Sequence, residues 1–140
     1  IRKPTALTEE EFEIMKCHPG KGAAIMGAIP QLSDVIPGMK YHHEKWEGGG
    51  DPEGLKGEDI PLQARIVSVA DCFDAMTTAR PYQRAMEVRY VLRKIREMAP
   101  ARYEPRVVEA LIRAYEKGDL VKVDHEDFGE RAPELKAEAV

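Results

Sequence analysis

The sequence predicts an all-α domain of five or six helices, and three patterns support this. Apolar residues recur at spacings of three and four over residues 62–77, which is typical of an amphipathic helix. Prolines and glycines stand where helices would begin and end, and no segment shows convincing strand alternation. With 140 residues, of which 43% are hydrophobic, the chain is long enough for one domain with its own core.

The N-terminal half predicts three short helical segments. Thr8 and Glu11 have the spacing of a capping box, which starts a first helix. A His-Pro step breaks it, and Pro19 suits the first turn of a second helix that ends before Ile-Pro at 29–30. A short turn or helix follows, and a further helix is predicted over residues 39–46, ending at three consecutive glycines.

The C-terminal half predicts a long loop followed by three stronger helices. Five glycines and a proline make residues 47–60 a loop that exceeds the usual connection length, and such loops are often functional. Helices are then predicted over 62–77, 88–98 and 105–117, the last with Pro at its first position and Gly after its end. Residues 119–140 are charged and predict a polar tail with one short helix near its end.

Composition excludes several classes of function. A net charge of −4 argues against a protein that binds duplex nucleic acid, which normally carries a basic surface. No apolar run approaches the length of a membrane span, and no signal-peptide pattern is present. Cys17 and Cys72 lack metal-site or disulfide-scaffold spacing, which favours a reduced, cytoplasmic protein.

Four residues form a candidate metal site: His18, His42, His43 and Asp71. Imidazole and carboxylate groups are suited to divalent transition metals, and the four would be collected from three helices. Asp71 interrupts an apolar run, where a carboxylate is costly unless it is paired or metal-bound. Two alternatives stay open: His18 caps a helix, and Asp71 is a buried aspartate bonded to a neighbouring helix.

Other polar residues near these positions are candidates for supporting roles. Asp74 lies one helical turn after Asp71, which suggests a supporting contact or an internal ion pair. Glu44 directly follows the histidine pair and is expected behind the ligands. Arg80 stands in a turn just beyond the candidate ligand helix, where a guanidinium would meet a phosphate.

Over residues 3–115 the chain resembles HD-GYP domains. The similarity is carried by an ordered set of motifs: Lys3-Pro4, His18-Pro19, His42-His43-Glu44-Lys45-Trp46, Gly50-Asp51-Pro52, Ala64-Arg65-Ile66-Val67-Ser68-Val69-Ala70-Asp71, Asp74-Ala75-Met76-Thr77, Arg80-Pro81-Tyr82 and Tyr103-Glu104-Pro105. Motifs of this length, in this order, are highly specific.

The resemblance implies the helical fold of the HD superfamily and hydrolysis of cyclic di-GMP or a related cyclic dinucleotide at a centre of two or three metal ions, usually iron or manganese. Carried over by position, His18, His42, His43 and Asp71 would be metal ligands, and Arg80 would lie near the nucleotide. Residues 1–118 would form the C-terminal part of such a domain, because the His-Asp pair and nearby lysine of the family would precede residue 1.

Three positions depart from the family pattern. Asp51 replaces the tyrosine of Gly-Tyr-Pro, Gln83 stands where a basic residue is common, and Glu47 replaces an aspartate. Asp51 and Gln83 are both expected at the substrate, where they would weaken attraction for an anion. Two alternatives therefore remain: a catalytically degenerate module that contacts a partner such as a diguanylate cyclase, and a hydrolase of another phosphorylated substrate. A homodimer is a separate expectation.

Overall fold

A computed structural model describes residues 8–79 and 84–120, and in these ranges the protein has six α-helices and no strand. The predicted all-α class is therefore confirmed. The helices are α1 (Glu9–Lys16), α2 (His18–Met26), α3 (Ile36–Tyr41), α4 (Leu62–Thr77), α5 (Val88–Met98) and α6 (Pro105–Lys117). Short 3₁₀ turns cover Pro30–Val35 and Gly57–Asp59.

The local signals at the helix ends work as the sequence predicts. The Thr8 hydroxyl accepts a hydrogen bond from the Glu11 amide at 3.3 Å, and the Glu11 carboxylate accepts one from the Thr8 amide at 2.8 Å. This reciprocal pair satisfies two of the amides that a helix start leaves without partners. At the other end of the domain Gly118 has φ +77°, the left-handed conformation that favours glycine after a helix.

The predicted helix over residues 39–46 is wrong in its extent, because α3 ends at Tyr41 and both histidines lie at or beyond its end. The backbone groups that would continue the helix bond elsewhere. The Trp46 amide donates to the Arg102 carbonyl at 3.1 Å, and the His43 carbonyl accepts from the Asp51 amide at 3.4 Å. Tertiary hydrogen bonds therefore replace the last helical turn.

The core lies where α4, α5 and α6 pack together. Its buried side chains come mainly from one face of each helix: Val69, Val91, Leu92, Ile95, Tyr103, Val108 and Ile112. The N-terminal helices α2 and α3 pack on each other, and α3 packs on α4. This arrangement connects the segment that carries the histidines to the core through α4.

Several sequence predictions fall outside the described residues. Arg80 and Gln83 lie in the gap between the two described ranges, and residues 121–140 of the predicted tail lie beyond them. No helix in the described part of the chain has the length and apolar character needed to cross a membrane.

Candidate metal centre

Three histidines converge from two helices. His18 is the first residue of α2, His42 directly follows the last residue of α3, and His43 comes next. Because α2 packs on α3, the start of one helix is brought to the end of the other. The His-Pro step that ends α1 thus also points His18 toward the histidine pair.

The three imidazole rings are close enough to bind the same metal ion. Ring centroids are 5.4 Å apart for His18 and His42, 5.0 Å for His18 and His43, and 4.1 Å for His42 and His43. One ring nitrogen from each lies within 4.8 Å of the others. His42 is buried, His43 is half-buried and His18 is exposed, so the cluster opens to solvent on one side.

Two backbone carbonyls fix the tautomers of His18 and His42. Nδ1 of His18 lies 2.6 Å from the Met15 carbonyl oxygen, and Nδ1 of His42 lies 2.6 Å from the Met39 carbonyl oxygen. A carbonyl can only accept, so each Nδ1 carries the proton and donates. In this tautomer Nε2 holds the lone pair, as required of a metal ligand whose other nitrogen is held by a backbone carbonyl.

The electrostatic environment favours the neutral form of His43. Burial lowers the pKa of His43 below its usual value, and the neighbouring His42 and His18 lower it further. The Asp71 carboxylate acts in the opposite direction. An imidazole that is neutral at physiological pH can donate its lone pair without first losing a proton.

Asp71 lies near the cluster but is not among its converging ligand atoms. Its side chain on α4 is exposed, so the alternative of a buried aspartate bonded to a neighbouring helix is wrong. Asp71 still influences the charge at His43, which places it within electrostatic range of the cluster. Its role as a fourth ligand stays a prediction.

Three other predicted site residues lie within the described ranges. Asp74 is exposed, and its carboxylate accepts a hydrogen bond from the Thr78 hydroxyl at 3.0 Å within the end of α4. Asp51 is exposed in the glycine-rich loop. Glu44 is buried at 3% exposure, and its Oε1 accepts from the Glu53 amide at 2.8 Å. Glu44 therefore ties the loop to the residues that follow the histidine pair.

The glycine-rich loop packs against this same stretch of backbone. A Cβ atom on Gly50 would lie 2.5 Å from both the Glu44 Cα and the Lys45 amide nitrogen. Only glycine permits so close an approach of two backbone segments. Lys40 adds an exposed contact at the loop, donating to the Glu53 carboxylate at 2.7 Å.

A buried ion pair behind the loop escaped prediction from the sequence. Arg65 on α4 donates to Glu104, which precedes α6, at 2.7 Å, and the Arg65 guanidinium lies 5.7 Å from the centre of the Trp46 ring. Glu104 is only 3% exposed. The sequence signalled only the carboxylate, because Glu104 directly precedes Pro105 and negative charge is favourable at a helix start.

The donor set fits a divalent transition metal. Three imidazoles within reach of one another, two with the tautomer fixed by carbonyls, match the nitrogen coordination that such ions prefer. The exposed side of the cluster leaves room for further ligands or substrate.

Comparison with known proteins identifies relatives among phosphodiesterases. A cyclic di-GMP phosphodiesterase of Thermotoga maritima is 44% identical over 117 residues, which cover 81% of this chain and 31% of that protein. The 3'3'-cGAMP-specific phosphodiesterase 2 of Vibrio cholerae is 31% identical over 121 residues, which cover 84% of this chain and 23% of that protein. The chain thus spans less than a third of the length of these relatives.

Solved structures share the fold. A cyclic GMP-AMP specific phosphodiesterase of V. cholerae superposes with a TM-score of 0.65 at 26% identity, covering 76% of this chain and 24% of that one. An HDG"Y"P protein of Bdellovibrio bacteriovorus gives 0.64 at 21% identity, covering 82% and 36%. The HD domain family matches residues 1–107, which include all three converging histidines. The chain belongs to the HD domain family.

Proposed function

We propose that this chain is part of a metal-dependent phosphodiesterase that hydrolyses cyclic di-GMP or a related cyclic dinucleotide. The observation that carries the proposal is the convergence of His18, His42 and His43, with ligand atoms within 4.8 Å of one another. The names of the relatives support the substrate class, because they include phosphodiesterases for cyclic di-GMP and for 3'3'-cGAMP.

The proposed centre holds iron or manganese, with two or three ions in a complete domain. His18 and His42 would bind through Nε2, since the Nδ1 of each is held by a carbonyl. His43 and Asp71 complete the proposed ligand set. Bound divalent ions supply hydroxide at neutral pH and neutralise charge that develops on a phosphodiester.

The residues of the chain would support this chemistry by orienting the metal ligands and the substrate. The carbonyls of Met15 and Met39 hold two rings in fixed tautomers, so little reorganisation is needed when a metal binds. Arg80, Asp51 and Gln83 are proposed to face the substrate, where Arg80 would contact a phosphate. Asp51 is exposed on the loop beside the histidine pair, as contact with a bound ligand requires.

The test is to load the protein with Mn²⁺ or Fe²⁺, measure the bound metal and assay hydrolysis of cyclic di-GMP and 3'3'-cGAMP. His18→Ala, His42→Ala and His43→Ala should each lower metal content and hydrolysis together. Gln31→Ala, at an exposed position on the 3₁₀ turn before α3, serves as the control and should change neither. Since the relatives are much longer, the assay is run on this chain and on a chain extended at its N-terminus.

Hydrolysis that persists in all three histidine variants would contradict the proposal. Binding of a cyclic dinucleotide or a diguanylate cyclase without hydrolysis by the extended, metal-loaded protein would instead favour a degenerate module. In that case partner binding should survive His42→Ala and His43→Ala. Exposure of residues 51–54 on the glycine-rich loop makes that loop the surface to test.

A further inference from the structure

A small cavity with polar and apolar walls lies behind the histidine pair, between the segment after α3 and helix α4. Its volume is about 10 Å³, and its walls include Glu44, Trp46, Arg65 and Ser68. Two buried side-chain polar atoms among the described residues have no hydrogen-bond partner: Oε2 of Glu44 and Nε of Arg65. Both belong to residues that line this one cavity.

The hydrogen-bonding character of these two atoms determines which molecule can bind in the cavity. A carboxylate oxygen accepts hydrogen bonds, and a guanidinium Nε–H donates them. Leaving either atom buried and unpaired is costly, and nearly all such groups in native proteins have a protein or water partner. A cavity of this size has room for one water molecule, which can accept from Arg65 and donate to Glu44.

We propose that one ordered water molecule bridges Glu44 and Arg65. Arg65 is thereby a positioning residue for the metal centre. Only the effect on metal binding rests on the proposed function. Ser68 also lines the cavity, and its hydroxyl would offer the water a third partner. Buried waters usually make about three hydrogen bonds.

The bridge would complete a continuous chain of contacts from Glu104, just before α6, to Glu44, just after the histidine pair. Glu104 accepts from Arg65 at 2.7 Å, the water links Arg65 to Oε2 of Glu44, and Oε1 of Glu44 accepts from the Glu53 amide at 2.8 Å. Both oxygens of Glu44 are then held. Glu44 directly follows His43, so holding its side chain restrains the backbone at that ligand.

The first test is a crystal structure of the whole chain that shows ordered water. We expect a peak at hydrogen-bonding distance, about 2.7–3.2 Å, from both Oε2 of Glu44 and Nε of Arg65. A protein side chain filling the cavity, or either group turned toward bulk solvent, would overturn the bridge.

The second test is a double-mutant cycle on the metal-free chain, with Glu44→Ala and Arg65→Met followed by urea unfolding. If water couples the two residues, the double variant should lower the urea midpoint by less than the sum of the single variants. The control cycle combines Glu44→Ala with Glu109→Ala, whose bond to Arg96 lies on the exposed side of α5 and α6. Its effects should add, and additive effects for Glu44 and Arg65 would count against the bridge.

The third test separates positioning from general stability by using Mn²⁺ as a probe in electron paramagnetic resonance titrations. Arg65→Met should weaken Mn²⁺ binding about 10- to 100-fold, as loss of a group that orients ligands does. Ile112→Val, a core change far along α6, should lower stability without this loss. Equal Mn²⁺ affinity in Arg65→Met and the unsubstituted chain would refute the positioning role. If neither the unsubstituted chain nor the N-terminally extended chain bound Mn²⁺, the proposed function would fail, and the crystal structure and the cycle would still decide the bridge.

Discussion

Arg65 donates a hydrogen bond of 2.7 Å to Glu104 across 39 positions of sequence, and their side chains are only 12% and 3% exposed. Removing one partner of such a pair leaves a poorly solvated charge. Glu104→Ala should therefore lower the free energy of unfolding by about 3–5 kcal/mol, measured by urea denaturation.

The matched control for this pair is Glu109→Ala. Glu109 accepts two bonds of 2.8 Å from Arg96, so the geometry is at least as favourable, but both side chains are exposed. Solvent screens such a pair, and its loss should change stability little. Similar losses for the two variants would show that burial does not set the strength of the Arg65 pair.

Gly50 and Gly20 give opposite predictions for the same substitution. Gly50→Ala places a methyl group 2.5 Å from backbone atoms of Glu44 and Lys45, so the loop must shift, at a cost of about 1–3 kcal/mol. Gly20→Ala meets nothing within 4 Å on helix α2 and should stabilise the protein by about 0.5–1 kcal/mol. Urea unfolding measures both. Tolerance of Gly50→Ala without loss would contradict the close packing of the loop.

Substitution of Ile95 tests whether the core lies between α4, α5 and α6. It is 0% exposed between α5 and its neighbours, so Ile95→Ala should lower stability by about 2–5 kcal/mol through lost burial and a residual cavity. Ile25 on α2 is 73% exposed, and Ile25→Ala should change stability by less than about 0.5 kcal/mol. Thermal and urea unfolding of the two variants, compared side by side, provide the measurement. Equal losses of stability for Ile95→Ala and Ile25→Ala would show that Ile95 does not lie in the core.

The lowered pKa of His43 makes the stability of the metal-free chain depend on pH. Because burial disfavours the charged ring, the unfolded chain binds this proton at a higher pH than the folded chain does. The stabilising contribution is fully present above the unfolded pKa of about 6.5 and is lost as the pH falls toward the lower folded value. The urea midpoint, measured with a chelator present, should therefore decrease as the pH is lowered from neutral to mildly acidic.

The matched variant for this prediction is His43→Gln, which cannot take up the proton. Its urea midpoint should fall less steeply over the same pH range than that of the unsubstituted chain. Identical pH profiles for the two proteins would show that His43 does not contribute.

Local sequence signals predicted most of the helices, because their causes lie within a few residues. The capping residue Thr8, the proline that starts α6 and the glycine that follows it each act on the adjacent turn. The predicted end of the α3 helix was wrong because its cause lies far away in the sequence. Bonds from Trp46 to Arg102 and from Asp51 to His43 end the helix, and no local pattern encodes such partners.

The candidate site was predictable only in part. Histidine pairing and family motifs identified His18, His42 and His43, and the structure brings these three together. Arg65 and Glu104 were missed as a pair, because an ion pair between α4 and the start of α6 depends on helix packing. Arg80 and Gln83 stay predictions.

The backbone connection between the histidine segment and the residues before α6 has a consequence for mutational tolerance. The amides of Trp46 and Glu47 donate to the carbonyls of Arg102 and Ala101 at 3.1 and 3.3 Å. Both partners in each bond are main-chain groups, so exchange of any of these four side chains leaves the bonds available, and only proline at 46 or 47 removes a donor. These backbone bonds can therefore hold the histidine segment in place whichever of the four side chains is exchanged, while the Trp46 ring keeps a separate contact with Arg65.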